Sequence, residues 1–320
     1  MKEVLTLGEI LVEVMAKNIG QTFTKAGEFL GPFPSGAPAI FINQVAKMGV
    51  PATMIGCVGK DDFGKVCLTR LEESGVDCRL IETHEDRPTG TAFVTYHQDG
   101  NRDFIFNIQH SAASLCRLNG AAITALQNCS VFHIMGSSIN TPDMIGLVRR
   151  AIALVKEGGG LISFDPNVRK ELLHDQTVVG FFNEVLSKTD IFMPSGDELL
   201  SLTSTESVES ALKALWILGV REVVLKKGQK GCDYYDRNNV ISKPSFSVKE
   251  VDATGAGDTF GGTFVACRVL GYSPEYSLDL ANAAGALAVS AMGPMEGAAT
   301  ESELETFISN WHTQEEVEHV

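Results

Sequence analysis

Residues 251–264 read VDATGAGDTFGGTF. Gly255, Ala256 and Gly257 carry almost no side chain, so their backbone N–H groups can come close to a ligand. The residues after Asp258, TFGGTFVACRVLG, have the small-residue content of a helix packed tightly against its neighbours. A glycine-rich turn entering a helix presents unpaired N–H groups and a partial positive charge, which suits a phosphate or another developing anion. A carboxylate beside such a site is costly unless it has a task, and taking a proton from an attacking hydroxyl is the obvious one. The same spelling also fits a flexible turn before a capped helix, with Asp258 as an N-terminal charge.

Outward from that turn, the 320 residues amount to one large domain or two modest ones, with ample apolar content for a core. A net charge of −14 and a pI near 4.9 argue against a general nucleic-acid binder or an anionic-membrane binder. They leave room for an anionic ligand, because backbone amides make a phosphate site locally. MKEVLTLGEI at the start lacks a basic segment followed by a long apolar run, so no secretion signal is expected. No uncharged apolar run reaches spanning length. Seven cysteines without a C-x-x-C pair read as reduced core residues of a cytoplasmic protein, and the seven histidines lack metal-ligand spacing.

The rest of the chain alternates. Val4 to Met15 reads as a strand with Gly8, Glu9 and Glu13 near its end, and the turn-rich segment NIGQTFTKAGEFLGPFPSGAP is expected to leave the main body. Helical spacing over Pro38–Gly49 and Gly64–Ser74 brackets a buried-type strand over Ala52–Val58, the rhythm of an α/β sheet covered on both faces. TGTAFVTY and NRDFIFN alternate with period two around Asp99-Gly100, which predicts a hairpin: a lid, a dimer surface, or an edge of the main sheet. VFHIMG, LISFDPN, DIFMPS and REVVLKKG read as short strands ending in polar residues, where parallel sheets build their sites. Thr141-Pro142 opens a helix to about Glu157, and two further helices cover Ser277–Ala291 and Glu301 to about Trp311, before a charged tail.

Taken together, VDATGAGDTF closely resembles the DTTGAGDAF signature of the ribokinase-like (PfkB) carbohydrate kinases, and the resemblance extends from about Val4 to Trp311. SGAPAIFINQVAKMG (Ser35–Gly49) stands for the family's GGAPANVAxALARLG, with Gly36 in the sugar-binding loop. Ile40 replaces the usual Asn, and Asn43, one turn on, is a candidate replacement. Glu13 occupies the place of an Asp that accepts hydrogen bonds from sugar hydroxyls. Gly136, closing VFHIMG, and Asn167 and Arg169 of DPNVR fall on the same substrate side; a guanidinium there can neutralise phosphate. The family's N-x-x-E element, tied to Mg²⁺ and phosphate, appears as Ser195-Gly196-Asp197-Glu198, which is equally a capping box. KKGQKG (Lys226, Gly228, Gly231) resembles the strand–turn near the nucleotide phosphates, and Asn282 a helix bordering the adenine pocket. There is no P-loop motif, no strand followed by G-x-G-x-x-G, and no G-x-S-x-G elbow.

The resemblance implies a ribokinase-like three-layer α/β/α sandwich with a small β lid. Residues 1–312 would form a single domain, with lid segments at about 14–34 and 87–110 and a charged tail at 313–320. It implies transfer of the γ-phosphoryl of MgATP to a hydroxymethyl group of a small sugar, with Asp258 as base and Gly255, Ala256 and Gly257 as the anion hole. A monovalent cation such as K⁺ would sit beside Asp252 and Thr254. A homodimer through the lid is expected. For the acceptor, the 2-keto-3-deoxygluconate kinases share GEILVE and SAASL, but their lid arginine is matched by Ile108 in FNIQHSAA. A buried carboxylate would lack its partner there, which favours a neutral ketohexose such as tagatose or fructose. Arg102 or Arg169 could take over that contact. A nucleotide-sensing protein without turnover on the same fold is the alternative of a different class; retention of Asp258 and GAGD speaks against it.

Overall fold

The structure is a computed structural model that describes residues 3–99, 101–139, 141–167 and 176–318. Its centre is a nine-stranded sheet. Seven strands run parallel: β1 (Val4–Leu7), β4 (Ala52–Gly59), β5 (Ile81–His84), β8 (Val131–Met135), β9 (Leu161–Asp165), β10 (Ile191–Phe192) and β11 (Glu222–Lys226). β12 (Cys232–Tyr235) and β13 (Val240–Lys243) extend one edge antiparallel, in the order β13-β12-β11-β10-β9-β8-β1-β4-β5. Apart from the edge strand β5, the parallel strands are largely buried, β4 at all eight positions, as expected of a sheet covered on both faces.

Two apolar cores separate the helices into layers. One holds residues of α1 (Ala37–Lys47), α2 (Asp62–Glu73), α8 (Ala256–Leu270), α9 (Pro274–Ser290) and α10 (Glu301–Glu318). The other holds α3 (Gly120–Asn128), α4 (Pro142–Glu157), α5 (Gln176–Leu186), α6 (Glu198–Thr203) and α7 (Val208–Leu218). The helix starts follow local chemistry: Thr141 caps α4 by accepting from Met144 N at 3.2 Å, with Pro142 next, and Ser273 caps α9 ahead of Pro274. α8 lies close on α1, because a Cβ on Gly262 would stand 2.5 Å from the Phe41 carbonyl oxygen. The apolar run Val4–Met15, read as one strand, is two. Gly8, at φ 151°, and Glu9 break it, and β2 (Leu11–Ala16) joins a second sheet.

That second sheet has four strands in the order β3-β2-β6-β7, with β3 over Phe29–Ser35, β6 over Gly90–Tyr96 and β7 over Arg102–Asn107. The hairpin β6–β7 therefore pairs outside the main sheet. Gly100 of its turn lies outside the described residues. α10 runs on to Glu318, so residues placed in a charged tail continue the helix. All seven cysteines are unpaired, and no helix among the described residues is long and apolar enough to cross a membrane.

Candidate active site

The main sheet reverses direction of growth between β1 and β8, the kind of crevice where open α/β sheets bind ligands. At that point Glu9, just past β1, accepts hydrogen bonds from Ser137 Oγ at 3.0 Å and from Ser138 Oγ, just past β8. Gly136 sits against the Pro166 carbonyl, joining the ends of β8 and β9. Gly36 is the N-cap of α1 and lies against the Glu9 carbonyl.

The turn before α8 opens on the same edge. Gly255 caps the helix in the left-handed region at φ 79°, and a Cβ there would stand 2.5 Å from Pro294 O. Only glycine fits both constraints. Ala256, half-buried, and Gly257, exposed, follow. Ile40 backs the turn, its Cγ2 3.2 Å from that same Cβ position, so the residue that departs from the family pattern supports the turn itself. Asp258 faces the crevice from the first turn of α8 and accepts a long hydrogen bond from Asn167 Nδ2 at 3.4 Å. Partial burial, then Asp165, Glu9 and Glu13, push its carboxyl up to about 8 against the opposing pull of Lys226. Asn167 holds a positive φ of 38°, fixed by its N–H to Asp165 Oδ1 at 3.2 Å.

Glu13 reaches the site from β2. Ser35 Oγ donates to it at 3.0 Å, and Thr254 Oγ1 lies at 3.5 Å. Burial, with Asp252 nearby, raises it to about 7, although Ser35, Arg102 and Thr254 favour its charge. Two residues of the second sheet meet the segment before the turn. Arg102 Nη1 donates to Thr254 Oγ1 at 3.0 Å, and Tyr96 OH to Asp252 Oδ1 at 3.3 Å. Asp252 also accepts from Thr254 N at 3.0 Å and Gly293 N at 3.2 Å, so a monovalent cation there would share its oxygens with these donors.

Lys226, at the end of β11, is ion-paired with Asp165, at the end of β9. Gly228 and Gly231 shape the turn that follows, leading into β12. Glu198 Oε2 accepts from Ser195 N at 2.6 Å, half of a capping box; α6 begins at Glu198 with Asp197 as N-cap, so Ser195 stands before the cap. Among the described residues no cluster of three metal-ligating side chains exists, and Mg²⁺ carried by nucleotide phosphates and water, with a nearby carboxylate, needs none. Asn282 donates to Pro244 O at 3.2 Å, tying α9 to the chain after β13.

One expected site residue, Asn43, has no hydrogen bond to this group. Asn43 is 1% exposed, in a helix buried on every side from Pro38 to Val45, and its side-chain oxygen and nitrogen have no hydrogen-bond partner. Arg169 lies outside the described residues. The residues that sequence reasoning left out of the site are Tyr96, Ser35, Glu9 and the pairing of Asp165 with Lys226. Each is joined to the site by contacts between distant segments, which no local pattern signals.

Residues 1–301 match the pfkB family of carbohydrate kinases. Fructokinase-1 of Zea mays is 32% identical over 312 residues, spanning 94% of this chain and 96% of that protein. An E. coli protein described as a candidate ribokinase II, crystallised with ATP and Mg²⁺, superposes with a TM-score of 0.92 at 47% identity, over 97% of this chain and 100% of its own. A double mutant of Vibrio cholerae O395 fructokinase, holding fructose, ADP and potassium, gives 0.83 at 28% identity, over 96% of this chain and 98% of its own.

Proposed function

We propose, from the premise that this chain belongs to the pfkB family of carbohydrate kinases and is an ATP-dependent sugar kinase, that its acceptor is a neutral ketohexose, with fructose first among them. The observation that carries the choice is the surroundings of the sugar side. Glu13 and Asp252 are carboxylates, and Arg102 is engaged by Thr254. Ile108, where acid-specific relatives align an arginine, is 7% exposed in an apolar cluster with Leu11, Ala92 and Ala113. A carboxylate on the substrate would find apolar surroundings at Ile108 in place of a cation, whereas hydroxyls find an acceptor in Glu13. The names of the plant and Vibrio relatives support fructose.

In this reading Asp258 takes the proton of the attacking hydroxymethyl, and the N–H groups of Gly255, Ala256 and Gly257 receive the transferred phosphoryl. Mg²⁺, when bound with ATP, neutralises phosphate charge, with Glu198 ordering its water shell. Asn167 orients Asp258. The second sheet covers the sugar as a lid and excludes water as acceptor. K⁺ beside Asp252 and Thr254 would steady the turn, which a rate increase on exchanging choline for K⁺ would report. The lid sheet also pairs two copies of the chain.

Coupled ATP consumption across fructose, tagatose and 2-keto-3-deoxygluconate tests the acceptor. A missing charge-assisted hydrogen bond of roughly 1.5–3 kcal/mol places the acid about ten- to a hundredfold below fructose in kcat/KM. A higher kcat/KM for the keto-acid than for fructose overturns the reading.

A further inference from the structure

Asp165 and Lys226 end strands on either side of β10, and the lysine side chain spans the short β10 end to reach the carboxylate. Asp165 is 1% exposed and the lysine side chain 11%. Two features distinguish this pair from a strut between strands. First, Lys226 Nζ lies only 3.6 Å from the point where a Cβ on Gly257 would stand, so the ammonium is seated directly against the anion-hole turn. Second, Asp165 does not spend itself on the lysine alone: its other oxygen accepts the N–H of Asn167, whose amide reaches Asp258. One carboxylate thus places both a cation and the residue that orients the base.

We propose that Lys226 is a catalytic residue of phosphoryl transfer: its ammonium, held by Asp165 beside the Gly255–Gly257 turn, donates to the non-bridging oxygens of the transferred phosphoryl, and Asp165 is its positioning residue. In the step, the bond between the β,γ-bridging oxygen and the γ-phosphorus of ATP breaks, and the sugar oxygen bonds to that phosphorus. The hydroxyl proton passes to Asp258. Lys226 gains and loses no proton; it supplies a fixed positive charge where the equatorial oxygens carry the most negative charge. Burial disfavours that charge, yet Asp165, Glu198 and Asp258 together hold the lysine protonated above its ordinary range. The proposal rests on the kinase reading of this site for its reaction and is independent of which sugar accepts.

The test compares Lys226→Met, Lys226→Arg and Lys226→Met combined with Asp165→Asn, using the sugar on which the parent is fastest. Lys226→Met is expected to lower kcat by ~10²–10³, the usual cost of one positioned transition-state donor, with the sugar KM changed less than threefold. Lys226→Arg, which keeps the charge, recovers part of kcat. Lys226→Met alone leaves Asp165 buried without its partner and is expected to melt earlier. The double variant regains Tm but stays slow. Calorimetry adds the selective readout: affinity for ADP with aluminium fluoride and sugar, a mimic of the transition state, falls with kcat, while ATP affinity changes less than threefold. The proposal is overturned if the double variant turns over within threefold of the parent, or if the mimic loses no more affinity than ATP does. A wrong acceptor assignment would show instead in the parent's ranking of sugars, and these ratios would be unaffected.

Discussion

Asp258 is held where its charge is hard to keep, and that sets two opposite pH dependences. Its folded-state value of about 8 lies well above that of an unfolded chain, about 3.9. Between those values the folded protein keeps a proton the unfolded chain has released, so stability falls as pH rises from about 4 to about 8. Glu13, raised to about 7, adds to the loss in the same direction over the lower part of that window. The proposed mechanism needs the other form: as its base Asp258 must be unprotonated, so kcat/KM is expected to climb with pH and level off above about 8. Asp258→Asn separates the two. Turnover should drop by ~10²–10⁴ with ATP binding retained. The Tm of the variant should exceed that of the parent by a margin that widens from pH 6 to pH 8. A variant within a few-fold of parental turnover, or a margin that shrinks with pH, contradicts this account of Asp258.

At the scale of elements, what the sequence made legible was what is local. The turn Gly255–Gly257 and the helix after it are spelled within one short segment, and period-two alternation set β6 and β7 apart. Contacts between remote segments carry no such signal: Arg102 meets Thr254 across 152 positions and Lys226 meets Asp165 across 61. The break between β1 and β2 was hidden because both halves are apolar, one facing each sheet's interior. Asn43, chosen for standing one turn beyond Ile40, is 1% exposed in α1, a burial that its position in the motif does not signal. The Arg102–Thr254 and Tyr96–Asp252 hydrogen bonds join the second sheet to the stretch of chain that leads into the Gly255–Gly257 turn. Arg102→Ala should therefore raise the sugar KM about tenfold and leave the ATP KM nearly unchanged. This corresponds to a charge-assisted hydrogen bond discounted to about 1.4 kcal/mol for its partial exposure. Tyr96→Phe, which removes a longer bond, should cost only a few-fold. A sugar KM within twofold of the parent in Arg102→Ala would show that the contact does not hold the sheet over the sugar.

The whole molecule has two sheets of unequal status, and the smaller has one face that the chain itself does not fully cover. Strand registers place Glu13 and Arg102 on its inner face, toward the site. They place Phe93 and Ile105 on the outer face, where Phe29 meets Phe93 edge-on at 6.4 Å between ring centroids. Phe29 is 38% exposed and Ile105 45%. Phe29, Phe93 and Ile105 form an apolar group on a face that also carries Thr91, Thr95, Asp103 and Asn107, a mixture that suits a self-complementary contact, in which two-fold symmetry lays the same patch on itself. Light scattering of the parent at micromolar concentration should give twice the 34.4 kDa chain mass. Ile105→Asp combined with Phe29→Ser, which places a charge in that face, should give a single chain mass. If the parent itself scatters as a monomer, the pairing is wrong. The proposed closure of the sheet over the sugar would survive that result, since it rests on Glu13 and Arg102 on the opposite face.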